Sequence, residues 1–185
     1  MSKRRPDLRG WRPGDARPDP DSMLRVNQAG EYGATRIYAG QIAVLRRNAP
    51  EARLIARMAA QEQRHLDRFN RLMTERRVRP TILQPLWNVA GFALGAATAL
   101  MSEQAALACT DAVETEIDRH YGEQLDQLGT SVSDLSADIA EFRAEELEHR
   151  DSARDAGAAR AFGYPLLTAA IRAGCRVAIE LSKRI

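Results

Sequence analysis

IARMAAQEQRHLDRFNRL, residues 55–72, is the stretch that decides the fold. Ile55, Met58, Phe69 and Leu72 recur at the three- and four-residue steps of an amphipathic helix. Glu62 and His65 interrupt that stripe at its middle, where apolar residues are expected. Burying an unpartnered carboxylate costs on the order of several kcal/mol, so a core-facing Glu beside a core-facing His needs something to compensate. Residues three apart leave a helix on one face, so Glu62 and His65 address a common point.

Three other segments carry the same interruption. One stripe runs Leu24, Gln28, Glu31, Thr35, Tyr38, Ile42 and Leu45. A second runs Leu107, Thr110, Glu114, Ile117, Tyr121 and Leu128, and a third Leu135, Ile139, Phe142, Glu146, His149 and Ala153. Each is apolar at its ends and carries carboxylate or imidazole at its centre. Four helices with one shared defect call for one shared cause, most simply a pair of metal ions. Glu31 precedes Glu62 by 31 residues and Glu114 precedes Glu146 by 32, so the pattern reads as two helix hairpins facing each other. A turn near Ala49 and one near Thr130 give arms rising roughly 20 to 27 Å at about 1.5 Å per residue, which brings the groups to similar height. A Glu from each of two helices and a Glu-x-x-His from each of the other two is the ligand set of di-metal carboxylate bundles.

Capping and breaking residues place the elements. Asp21 and Ser22 suit the start of a helix running to about Asn48, and Pro50 opens a second that stops before Pro80. An uncharged stretch, residues 80–102, is interrupted by Pro85. Further helices span about 103–128, from Ser133 or Asp134 to near Gly157, and from Pro165 almost to the end. No alternating run long enough for a sheet occurs, so the class is all-α: an antiparallel four-helix bundle with two additional apolar helices. Residues 1–21, with Pro6, Pro13, Pro18 and Pro20 among six basic and four acidic residues, read as a flexible tail, and 22–185 as a single domain. That tail lacks the apolar run of a secretory signal, and its acids argue against a mitochondrial transit peptide.

The 185 residues carry 27 basic and 25 acidic side chains, a net +2 that gives no electrostatic case for nucleic acid. Cys109 and Cys175 form no CxxC pair and read as buried small hydrophobes in a reducing compartment. Four carboxylates balance two divalent ions, and four carboxylates with two imidazoles and no thiolate favour iron over zinc, with manganese an open alternative. His120 reads as a partly exposed side chain paired with Glu116. Arg53, Arg57, Arg64, Arg68 and Arg71 read as a solvated face, or else as a docking site for headgroups, a reductant or a partner.

Beyond these patterns, the segments RVNQAGEYGATRIYAGQ, QEQRHLDRFN, RVRPTILQPLWNVAGFALGAATALM, ACTDAVETEIDRHY, EELEHRD and AGCRVAIELS closely resemble the demethoxyubiquinone hydroxylase family of ubiquinone biosynthesis. The likeness runs from about Leu24 to Leu181 and implies a ferritin-like di-iron domain. Carried over, Glu31 and His65 are terminal ligands of one iron, Glu114 and His149 of the other, and Glu62 and Glu146 bridge them; these six are also the catalytic residues. The reaction implied is O2-dependent monooxygenation of the ring of a polyprenyl demethoxyubiquinol. Membrane-surface binding is implied too, on the cytoplasmic face of a bacterial membrane or else the matrix face of the mitochondrial inner membrane, and there is room for a lipid-presenting partner protein. Tyr121 lies on the inward stripe, where core packing is the first expectation.

Two other readings use the same residues: a ferritin-type ferroxidase or iron-storage protein, and a metal-free membrane-associated helical scaffold. The apolar stretch 80–102 speaks against the first. A transmembrane span there would put Glu31, Glu62 and His65 across the bilayer from Glu114, Glu146 and His149. The stretch is therefore expected to lie in the interface, Trp87 at headgroup depth, with the last helix beside it as the mouth for the quinol; the alternative is that both simply pack on the bundle as core helices.

Overall fold

The computed structural model describes residues 19–47, 49–129 and 134–184. Six helices carry nearly all of them: α1 (Pro20–Val44), α2 (Pro50–Arg76), α3 (Gln84–Met101), α4 (Glu103–Leu128), α5 (Asp134–Asp155) and α6 (Tyr164–Arg184). No strand occurs among the described residues. Residues 1–18, the whole of the expected tail but its last turn, lie outside the described residues, as do Ser133 and the turn near Thr130.

Local chemistry sets the ends. α1 starts slightly earlier than expected, because Asp19 rather than Asp21 or Ser22 is the cap. Its side chain accepts from the Ser22 N–H at 3.1 Å, and Pro20 occupies the first turn, where no N–H is needed. α1 also stops at Val44 rather than near Asn48. Leu45 and Ala49 are both extended, and Pro50 imposes that on Ala49. α2 ends on Arg77 in the left-handed region (φ 57°), with the Val78 N–H reaching back to the Met73 carbonyl. Pro85 does not interrupt a helix; it sits in the first turn of α3. Ser102, fully extended, breaks α3 from α4, and its hydroxyl accepts from the Ala105 N–H at 2.9 Å.

α1 with α2 and α4 with α5 form the two hairpins of a ferritin-like bundle. Leu24, Phe69, Leu72, Tyr121, Leu135, Ile139 and Phe142 pack at one end. Tyr38, Leu45, Ile55, Met58, Ala99 and Ala106 pack at the other, and the polar belt lies between them. The α2 and α5 stripes are buried at every expected position. On α1 the expectation fails at Ile42, which is 40% exposed. Gln41 is buried in its place, its amide donating to the Ala106 carbonyl at 2.9 Å. Thr35 and Ile117 are half-buried.

The two extra helices pack outside the bundle. α3 crosses α1 closely: a Cβ on Gly95 would stand 1.9 Å from the Ile37 carbonyl oxygen, and one on Gly40 2.2 Å from that of Phe92. α6 lies on α4 and α1. The half-buried Trp87 donates its indole N–H to the Ser182 hydroxyl at 3.1 Å and joins α3 to α6. Their outer faces are apolar, with Leu86, Val89, Leu100 and Met101 exposed on α3 and Leu166, Val177 and Leu181 on α6. No helix among the described residues is long and apolar enough to cross a membrane.

Candidate metal centre

The six polar interruptions meet. Glu31, Glu62, Glu114, Glu146 and His65 are fully buried, and His149 is 3% exposed. Their ligand atoms form two overlapping groups, Glu31, Glu62, His65 and Glu146, and Glu62, Glu114, Glu146 and His149. Within each group the atoms lie within 4.8 Å of one another. Glu62 and Glu146 belong to both. The Nδ1 of His65 stands 3.1 Å from Glu146 and 3.5 Å from Glu31; the Nδ1 of His149 stands 3.0 Å from Glu62 and 3.3 Å from Glu146. Donor atoms about 2.1 Å from one ion and at about a right angle stand about 3 Å apart, so these are the spacings of ligands around a cation.

The hydrogen-bond inventory agrees. Both oxygens of Glu62 and of Glu146, one oxygen each of Glu31 and Glu114, and both Nδ1 atoms are buried without a hydrogen-bond partner. Buried polar atoms are ordinarily satisfied, so eight bare atoms aimed at one place form a cradle for a metal ion.

Electrostatics without a cation show the strain of that crowding. Burial, then the charge of Glu146, pushes the Glu62 carboxyl well above its usual range. Burial and Glu146 do the same to Glu114, and burial raises Glu146 itself. Burial would raise Glu31 too, but His65 holds it below the usual range. Burial works against a charge on His65, yet the carboxylates of Glu146 and Glu31 around its ring raise it to about 11. Burial lowers His149. The proton drawn onto His65 is the one positive charge among the six groups facing four carboxyls, and metal cations would supply what is missing.

A second layer of partners holds the ligands. Tyr38 on α1 donates its hydroxyl to Glu114 on α4 at 2.5 Å, and Tyr121 on α4 donates to Glu31 on α1. Burial, then the facing carboxylate, raises both phenols well above their ordinary range, which keeps them donors. Tyr121 is thus a hydrogen-bonding partner as well as packing. Each tyrosine follows its own helix's Glu by seven residues, a repeat visible in the sequence that would have revealed the pair. The far ring nitrogens are also held: His65 Nε2 lies 2.8 Å from the Glu145 carboxylate, and His149 Nε2 lies 3.0 Å from the Gln61 side-chain Oε1. Gln61 and Glu145 each stand immediately before a ligand Glu, a signal missed because that position lies off the inward stripe.

His120 is corrected. It is 5% exposed, and its Nε2 meets the Gln124 side-chain nitrogen at 2.8 Å. Glu116 instead takes Arg119, Arg172 and Arg176, because α6 brings two guanidiniums onto it. Along the basic face of α2, Arg64 pairs with Glu145 and Arg68 with Asp138. Cys109 is buried as expected, while Cys175 is only half-buried.

Beside the centre, α1, α3, α4 and α6 enclose a cavity of about 570 Å³. Its walls are almost wholly apolar, among them Trp87, Leu94, Ile117, Leu167 and Ile171, with Glu116 and Ser182 the polar exceptions. None of the six metal-facing residues lines it, but Gly30 and Val113, next to Glu31 and Glu114, do.

Residues 19–182 match the family model described as ubiquinone biosynthesis protein COQ7. The chain belongs to that family. It is 53% identical over 175 residues, 94% of this chain and 82% of the relative, to the 3-demethoxyubiquinol 3-hydroxylase of Rhodospirillum rubrum. It is 52% identical over 169 residues, 89% and 77% of the two chains, to the mitochondrial NADPH-dependent 3-demethoxyubiquinone 3-hydroxylase of Homo sapiens. With the mitochondrial 5-demethoxyubiquinone hydroxylase of Saccharomyces cerevisiae the identity is 43% over 181 residues, 89% and 78%.

Proposed function

We propose that this COQ7-family chain is a di-iron monooxygenase that hydroxylates the ring of a polyprenyl demethoxyubiquinol. The observation that carries the reading is the pair of overlapping buried ligand groups sharing Glu62 and Glu146. Glu31 and His65 would complete one iron position and Glu114 and His149 the other, and Glu62 and Glu146, common to both groups, would be shared between them. Hard carboxylates favour iron, which the pair of positions would let deliver two electrons to O2. One oxygen atom enters the ring and the other leaves as water, which takes two protons and two electrons; the two electrons the iron pair would pass to O2 are those restored to it by a reductant of the class named for the human relative, a nicotinamide nucleotide.

The chain's own residues do the rest. Tyr38 and Tyr121 hold the terminal carboxylates Glu114 and Glu31 in place, and Glu145 and Gln61 fix the two rings so that Nδ1 faces the metals. The apolar cavity takes the prenyl tail, and the ring passes between α1 and α4 beside Gly30 and Val113. Walls of this kind exclude water from the reacting ring. The exposed apolar faces of α3 and α6 set the protein onto a membrane surface as a peripheral element, which puts the cavity mouth where so apolar a substrate resides.

The test is turnover of a short-chain demethoxyubiquinol under isotopically labelled O2 by iron-loaded, reduced protein. The expected product carries one labelled oxygen on the ring. Iron oxidation with no altered quinol would instead leave the ferroxidase reading.

A further inference from the structure

The second layer around the two metal positions is symmetric in its tyrosines and asymmetric in its histidine partners. Tyr38 and Tyr121 exchange equivalent bonds across the hairpins. The His65 ring, however, donates from Nε2 to a carboxylate, Glu145 at 2.8 Å, while His149 donates to a neutral amide, Gln61 at 3.0 Å. Gln61 in turn offers its amide nitrogen to the same Glu145 oxygen at 3.5 Å. One chain of contacts, His149 to Gln61 to Glu145 to His65, therefore links the two rings, with its only charge at the His65 end. Phe142 also stacks on the His65 ring at 4.0 Å between centroids.

An imidazole N–H bonded to a carboxylate gives its other nitrogen more negative character, and so a stronger metal donor, than one bonded to an amide. Partners of this kind change metal affinity by about 10- to 100-fold. Arg64 touches Glu145 at 3.1 Å but is 58% exposed, so solvent screens its opposing charge.

We propose that the two metal positions are unequal, and that Glu145 and Gln61 are positioning residues that make the His65 position fill first and hold its ion more tightly than the His149 position. This rests on the di-metal reading above. The functional consequence is that the ion beside His149 and Glu114 is the exchangeable one, so metal scarcity leaves a half-filled, inactive site.

The experiment is a stepwise titration of the chelator-treated full chain with Co2+, followed by absorption. Wild type is expected to show two steps about 10-fold or more apart. His65→Ala should remove the tight step and His149→Ala the weak one. Glu145→Gln should bring the steps together by weakening the first. The exchange variant, Gln61→Glu with Glu145→Gln, keeps the charge and the contact chain and should reverse which histidine owns the tight step; a merely structural role for these residues could not produce that reversal. Two equal steps in wild type, an unchanged gap in Glu145→Gln, or an exchange variant that still fills the His65 position first each overturns the proposal while leaving a di-metal centre intact. No Co2+ binding at all overturns both.

Discussion

Glu62 and Glu146 are the two side chains common to both candidate ligand groups, so in the proposed centre each would serve two ions at once. Replacing either by Ala is expected to reduce iron from about two per chain to below one and to lower turnover at least 100-fold; metal analysis beside steady-state rates checks both, and full iron with normal turnover contradicts the bridging role. His120 makes a different kind of prediction. Its Nε2 accepts from the Gln124 amide, and burial, then Lys183 and Arg119, lowers it to about 4. Below its ordinary 6.5 the unfolded chain takes up a proton that the folded His120 refuses until about pH 4. The contribution to stability is therefore full above about pH 6.5 and lost as pH falls toward 4, at about 1.4 kcal/mol per unit, up to about 3 kcal/mol. Melting curves of chelator-treated protein between those limits should fall less steeply for His120→Gln, and parallel curves contradict it. The six candidate ligands were legible because each is a carboxylate or imidazole at the middle of a stripe that is apolar at its ends. Gln61 and Glu145 were not, since one residue along a helix lies about 100° away, where polar side chains are unremarkable. His120 was misread because Glu116 sits one turn back, and only the fold shows that α6 brings Arg172 and Arg176 to it.

The α1–α3 crossing shows what an element's sequence does and does not reveal. Gly91-x-x-x-Gly95 reads as a close-packing surface, but nothing in it names the partner. The partner is α1, through Gly33, Ile37 and Gly40. A Cβ at Gly95 cannot be accommodated without moving the α1 backbone, so Gly95→Ala is expected to cost about 1–3 kcal/mol, lowering the melting temperature by about 2–4 °C per kcal/mol. Gly174 on α6 has nothing within 4 Å of its Cβ position, and Gly174→Ala should be neutral or raise the melting temperature slightly. Equal melting temperatures for the two variants contradict the close crossing. Helix ends were read to within a turn or so wherever a proline or glycine marks them. The miss at the end of α1 lies at Leu45, which turns extended with no proline or glycine beside it to mark the stop.

Over the whole molecule, the bundle hides its charge and shows its grease. Four buried carboxylates sit at the centre, while Leu86, Val89, Leu100, Leu166, Phe162 and Val177 are exposed along α3, α6 and the turn before α6. Patches of this kind mark a surface that meets something apolar. Co-sedimentation with liposomes should be strong for the wild-type chain and clearly weakened by Leu86→Ser with Val89→Ser and Val177→Ser, three outward positions; undiminished binding contradicts a membrane role for this face. The bundle class was legible from four matching stripes, and so were α3 and α6 as two additional helices beside it, but which helices they pack on was not, because their apolar residues face both inward and outward. What everything else depends on is the proposal that two iron ions are held side by side by Glu31, Glu62, His65, Glu114, Glu146 and His149. Mössbauer spectroscopy of the iron-loaded, O2-exposed protein tests this: a spin-coupled ferric pair at about two irons per chain is expected. One iron per chain, or magnetically isolated ferric ions, would contradict it.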